Sequence, residues 1–229
     1  MDPFQFGPFS SNIGTRRKNK EYVQAGSGFY AGRGKDVLIC GSEPVDVEGA
    51  PGGFLVTPVA MSGGTGKDIY KFERDSFEWG FIADAGGGMD TVKFKRNSPF
   101  NPNFDIDENV RVDVILINNR DVLLTSTNLS DGGRENGVLL ADPFGRLNKA
   151  NRIEKVKFGK RTYNFKNLFN SIQECVSPEE YDGCYNEFTY SELNELGMLN
   201  FSGFDDLNAL EDGSYIDIAT YNNNLADSL

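Results

Sequence analysis

Histidine is absent from the 229 residues. With it go Ser-His-Asp and Cys-His catalysis and the common imidazole zinc sites. No apolar run reaches the roughly 20 residues that a membrane-spanning helix needs. The N-terminus, Met1-Asp2-Pro3-Phe4-Gln5-Phe6-Gly7-Pro8, lacks the basic and apolar segments of a cleavable signal, which by itself points to the cytosol. Basic residues are few: 23 Lys and Arg stand against 34 Asp and Glu, for a formal charge of -11 and a pI near 4.6. Such a balance excludes nucleic acid as the expected partner, because phosphates require clustered Lys and Arg. The last basic residue is Lys166. Cysteine is limited to Cys40, Cys175 and Cys184, so one stays unpaired in any scheme. Cys175 and Cys184 can close a short loop in an oxidising compartment or remain free thiols.

Glycine, by contrast, is abundant, with 26 residues, and together with many Asn and Asp it predicts turn-rich β structure. The organising stretch is Gly63-Gly64-Thr65-Gly66-Lys67-Asp68-Ile69-Tyr70-Lys71-Phe72, a glycine turn, an aspartate and an alternating strand. Glycines let the backbone enter positive φ, and the aspartate adds an anionic oxygen of the kind calcium binds. Two imperfect copies flank it: Ala31-Gly32-Arg33-Gly34-Lys35-Asp36-Val37-Leu38-Ile39 and Gly86-Gly87-Gly88-Met89-Asp90-Thr91-Val92-Lys93-Phe94.

On these residues the chain resembles the RTX, or haemolysin-type calcium-binding, proteins. Two further segments extend the likeness over roughly residues 26–168: Ile82-Ala83-Asp84-Ala85-Gly86-Gly87, and Asn151-Arg152-Ile153-Glu154-Lys155-Val156-Lys157-Phe158. The resemblance implies a mainly β protein, a degenerate parallel β-roll or β-solenoid, with a short mixed α/β C-terminal region. It also implies Ca2+ held by Gly32, Gly34, Asp36, Gly64, Gly66 and Asp68, with a second site around Asp84, Gly87 and Asp90. The turn glycines Gly32, Gly64 and Gly87 do not recur at multiples of nine residues, so one or two sites are expected rather than a continuous ladder of ions. Family members leave the cell through a type I exporter that reads a C-terminal signal, and the Lys/Arg-free terminus here is similar to such signals. The resemblance therefore reverses the cytosolic default to a secreted or surface location.

Three regions are expected: an N-terminal extension over 1–25, the RTX-like β domain over 26–168, and a C-terminal region over 169–229. Val110–Ile117 and Val122–Thr125 read as a hairpin joined at Asn118-Asn119-Arg120-Asp121. Ser177-Pro178-Glu179-Glu180 and Thr189-Tyr190-Ser191-Glu192 are capping boxes that start helices. A third helix over 205–211 and a strand over 214–221 follow.

Several sharper motifs fail on inspection. Asp105-Ile106-Asp107-Glu108-Asn109 opens like an EF-hand loop, but Val110 replaces the required glycine and Leu116 the closing glutamate. Gly63 to Lys67 is no phosphate loop, since Met61 and Asp68 stand where glycine and Ser/Thr belong. Carboxylate pairs can hydrolyse glycosides, yet nothing singles out a pair, and no enzyme is expected. Phe77, Trp79 and Phe81 alternate along one strand as core or as a polysaccharide-binding face. The function expected is an exported calcium-binding structural protein of the cell surface or matrix that self-associates. A carbohydrate-binding adhesion module is the alternative.

Overall fold

Period-two alternation assigns each strand an inner and an outer face. The computed structural model describes residues 10–15, 17–46, 54–73, 78–103, 110–128, 134–175, 184–195 and 213, and in it the chain crosses repeatedly between two sheets. The first crossing joins β1 (Ser10–Ile13) to β2 (Lys20–Gln24). The second joins β3 (Ser27–Tyr30) through a two-residue β4 (Arg33–Gly34) to β5 (Val37–Gly41). A hairpin of β6 (Glu43–Asp46) and β7 (Phe54–Thr57) leads to the third, β8 (Val59–Ser62), β9 (Thr65–Gly66) and β10 (Ile69–Phe72). The fourth joins β11 (Glu78–Ile82) to β12 (Asp90–Phe94).

An antiparallel hairpin, β13 (Val110–Ile117) and β14 (Asp121–Asn128), precedes the fifth crossing from β15 (Arg134–Leu140) to β16 (Ile153–Phe158). Its turn places Asn118 and Asn119 at φ 50° and 52°, a left-handed conformation that asparagine tolerates well. The remaining elements are β17 (Arg161–Asn164), α1 (Phe165–Phe169), β18 (Gln173–Glu174), β19 (Cys184–Phe188) and α2 (Tyr190–Glu195).

One sheet runs β1-β3-β8-β11-β15 in parallel and continues through β14, β13, β19 and β18. The other runs β2-β5-β10-β12-β16 in parallel and ends at β17. The protein is therefore mainly β, as expected, with few helical residues. β1 and β2 fall within residues 1–25, so Ser10–Ile13 and Lys20–Gln24 are each paired into a sheet. Likewise β19 pairs with β13, which builds the start of the C-terminal region into the larger sheet.

Thr189 and Glu192 form the expected capping box: the Thr189 N–H donates to Glu192 Oε2 at 2.7 Å and the Glu192 N–H to Thr189 Oγ1 at 3.1 Å. The structure bridges Cys175 to Cys184, and Cys40 is a buried thiol outside the disulfide. The helix expected from Ser177, the later helix and strand over 205–221, and the segment 105–109 lie outside the described residues.

The inner faces of the second sheet stack like with like. Phe72, Phe94 and Phe158 share a register, their ring centroids 5.2 and 5.4 Å apart and nearly parallel. Each such pair is worth about 0.5–1.5 kcal/mol beyond the area it buries. Within the first sheet β3, β8 and β11 are buried along their whole length, on both faces. Trp79 and Phe81 on β11 are 4% and 2% exposed, so this strand is core and offers no face to a sugar. Phe77 lies outside the described residues.

Crossing turns stack as closely as the strands. Arg33 and Gly34 pair in register with Thr65 and Gly66, and Gly66 bridges to Gly88. Unequal repeat spacing is absorbed elsewhere: the return from the second sheet to the first carries the β6–β7 hairpin in one crossing and only a short link in the next. A Cβ at Gly86 would run into the Gly64 carbonyl group, whereas one at Gly87 has room but sits on a backbone at φ +77°. Gly87→Ala is expected to cost about 1–2 kcal/mol from the left-handed conformation alone. Gly86→Ala, which forces two main chains apart, should cost more, at or beyond the ~3 kcal/mol end of overpacking effects. Thermal melts of the two variants check the order, and equal melting points would show that the turns are not packed main chain on main chain.

Candidate functional site

Each crossing ends in a residue with a side-chain oxygen just ahead of, or at the start of, its strand in the second sheet: Asn19, Asp36, Asp68, Asp90 and Glu154. These five form a ladder. Asn19 donates its backbone N–H to Asp36 Oδ1 and its Nδ2 to the same oxygen at 3.1 Å. The Asp36 N–H donates to Asp68 Oδ1 at 2.7 Å, the Asp68 N–H to Asp90 Oδ1 at 2.8 Å, and the Asp90 N–H to Glu154 Oε2 at 2.8 Å. Main-chain bonds run alongside, Ile69 N–H to Asp36 O and Thr91 N–H to Asp68 O, both at 2.9 Å. An amide N–H to a carboxylate is a charge-assisted bond, roughly twice as strong as a neutral one. Each rung spends one oxygen of its aspartate. The other oxygen of Asp36, Asp68 and Asp90 is buried without a hydrogen-bond partner.

Asp84 is the extreme case. It is 1% exposed, and no main-chain N–H bonds either of its oxygens. Asp90, Asp68 and the fully buried Tyr70 face it, and the Tyr70 hydroxyl accepts the Gly63 N–H at 2.7 Å. Gly63 leaves room that the Asp68 carboxyl fills: a Cβ there would stand 2.6 Å from Asp68 Oδ2. The strongest charges acting on Asp68, Asp84 and Asp90 are all negative. Burial, followed by this repulsion, raises the Asp84 pKa far above the ordinary carboxylate value. Burial also raises Asp68, from 3.8 to about 7, with Asp90 and Asp36 adding to the shift against the Asp36 N–H. Asp90 and Asp36 are raised as well, again by burial first.

Asp142 shows what a satisfied carboxylate looks like just past the neighbouring strand. Ile82 pairs with Leu140, and Asp84 and Asp142 each follow two residues later. Asp142 accepts the N–H groups of Arg146, Leu147 and Asn148 at 2.6, 2.9 and 3.0 Å, plus Asn151 Nδ2 at 3.3 Å. Its own N–H donates to Asp121 Oδ1 at 2.7 Å, and Asp121 Oδ2 takes the Tyr190 hydroxyl and Arg120. Asp142 thus organises a loop and Asp121 ties α2 to it, while Asp84 meets no main-chain donor. The sequence reading missed Asp121 and Asp142. The repeated pattern Ile82-Ala83-Asp84 and Leu140-Ala141-Asp142 was the signal available.

No family model matches this sequence, and comparison with curated proteins returns no match.

Of the residues expected to hold calcium, Asp68, Asp84 and Asp90 are brought together at one corner and Asp36 one rung away. The glycines build the turns. Gly32 with Gly64, and Gly34 with Gly66 and Gly88, form the stacked turn backbone. The Gly66 carbonyl accepts the Met89 N–H at 3.2 Å and the Gly87 carbonyl accepts the Gly66 N–H at 3.0 Å. Among the described residues no three acidic, cysteine or histidine side chains surround a common point as a metal cage. The carboxylates form a column instead. Their hard, anionic and partly unpartnered oxygens fit calcium in donor type, with Asp84 as the member that has most to gain.

The raised values fix a pH dependence. Between pH 3.8 and about 7 the native Asp68 holds a proton that the unfolded chain has released. Its contribution to stability is therefore largest at the acidic end of that window and is lost as pH rises. Asp84 acts in the same direction. In chelator, Asp84→Asn should melt close to the wild type near pH 4 and increasingly above it toward pH 7.5. A melting-point difference that stays constant over this range would mean that the column carries no buried charge.

Proposed function

We propose that this chain is a calcium-binding structural protein of the cell surface or extracellular matrix, whose stacked turns form a degenerate β-roll consolidated by cations and whose copies assemble. The observation that supports the reading best is Asp84: a wholly buried carboxylate that no main-chain N–H or basic group satisfies, set against Asp68, Asp90 and the Tyr70 hydroxyl. A buried charge is retained only when it is paired, hydrogen-bonded or bound to a metal. A divalent cation at this corner would compensate three carboxylates whose mutual repulsion otherwise opposes folding. The ligands come from crossings three and four, so an unfolded chain has no such site, and binding would act directly on stability. Location outside the cell rests on the RTX resemblance, in which calcium met after export drives folding.

The test is a pair of thermal melts in millimolar calcium and in EGTA. Free calcium at 100 times the dissociation constant should add about 2.7 kcal/mol, and Asp84→Asn should remove most of that gain while raising stability in EGTA. Identical wild-type melts in the two conditions would refute the calcium reading.

A further inference from the structure

Charge in this chain is partitioned along its length. Residues 167–229 carry 13 Asp and Glu and no Lys or Arg, whereas residues 1–166 carry 23 Lys and Arg against 21 Asp and Glu. The fold gathers part of the basic set on one surface. Lys71, Lys93 and Lys157 occupy the same register on β10, β12 and β16, on the outer face of the second sheet. Lys155 sits on that face one row away, beside Thr91.

Adjacent parallel strands lie about 4.8 Å apart, so the three ammonium groups of the row are crowded, and like charges directly opposite destabilise a sheet. Lys71 is paired with Glu73 at 3.0 Å. Lys93 and Lys157 have no ion pair among the described residues. The acidic counterpart stands elsewhere: Glu174 on β18, Glu187 on β19 and Glu192 on α2 are all exposed. They sit at the far end of the first sheet, beyond β13. The two sheets face each other across the core, so the outer face of the second points away from the first. The lysine row and this acidic end therefore cannot meet within one copy.

We infer that the lysine row of Lys71, Lys93 and Lys157 is an interaction surface for the acidic C-terminal end, around Glu174 and Glu187, of a second copy of this chain. The contact joins two different surfaces, so each copy keeps one of each free and the association is open-ended unless its rotation closes a ring. The inference rests on the assembly part of the proposed function and is independent of calcium.

Light scattering of the full chain in EGTA and in calcium, at about 20 mM and about 500 mM salt, tests it, because screening falls within about 5 Å at the higher value. Wild type should associate at low salt and dissociate at high salt. Lys93→Glu/Lys157→Glu and, separately, Glu174→Lys/Glu187→Lys should each lose association at least tenfold, with circular dichroism unchanged. An equimolar mixture of the two variants should associate again, since each retains the surface the other lacks, which a folding defect would not produce. Association unaltered by either pair, or a mixture that stays apart, overturns this surface while leaving self-assembly in place. A wild type that is monomeric in every condition overturns both.

Discussion

The structure depends on main chain stacking on main chain where the chain crosses from one sheet to the other. Stacked turns leave no space for side chains between them, so the corner is built from glycine backbone and from carboxylates that reach back to the next N–H. Asp36, Asp68, Asp90 and Glu154 each cap one crossing and hold the neighbouring one, an arrangement that fixes the register of β5, β10, β12 and β16. With that register set, Phe72, Phe94 and Phe158 fall into one column without further specification. The ladder and the aromatic stack are two consequences of a single constraint.

The same constraint explains why carboxylates are buried at this corner. A capping aspartate spends one oxygen on an amide and leaves the other facing the corner. Asparagine would supply the acceptor without the charge, and Asn19 does so at the first crossing, where it also donates to the Ala31 and Arg17 carbonyls. Three interior rungs keep aspartate instead, and Asp84 adds a fourth carboxylate that caps nothing. Structural capping alone accounts for the first oxygens and gives no account of the remaining ones. A bound cation or retained protons must balance them, because neither burial nor mutual repulsion favours their charge.

Much of this was legible in the residues. The glycine-aspartate-strand pattern located three crossings, the alternation in Ile69 to Phe72 gave the inner face, and Thr189 to Glu192 marked a helix start. What the pattern could not supply was which turns become neighbours, because the return segments differ in length and carry their own hairpin. The pairing of Ile82 with Leu140 therefore depends on a register set by strands far apart in sequence. For the same reason the sequence did not show that the Gly66 and Gly87 carbonyls accept N–H groups of the next turn. The aromatic strand was ambiguous because period two cannot say whether both faces are covered. Here β7 lies against β11 and the Trp79 ring lies over Gly137.

The ends of the ladder bear on how copies can meet. At the first crossing Asn19 places a neutral amide where the interior crossings have aspartate, and it donates twice to Asp36 Oδ1. At the other end Glu154 is held by Arg152 at 3.0 Å, and β17 covers β16 with an antiparallel strand. Neither end repeats the corner that the interior crossings share, so stacking one copy on the next would not continue the ladder. β2 still presents an edge strand, but Lys20 and the exposed Arg17 and Lys18 stand at its start, and charged edges resist strand addition. Assembly directed by the lysine face avoids both obstacles, since it requires no strand register and uses charges that the fold places on a side rather than at an end.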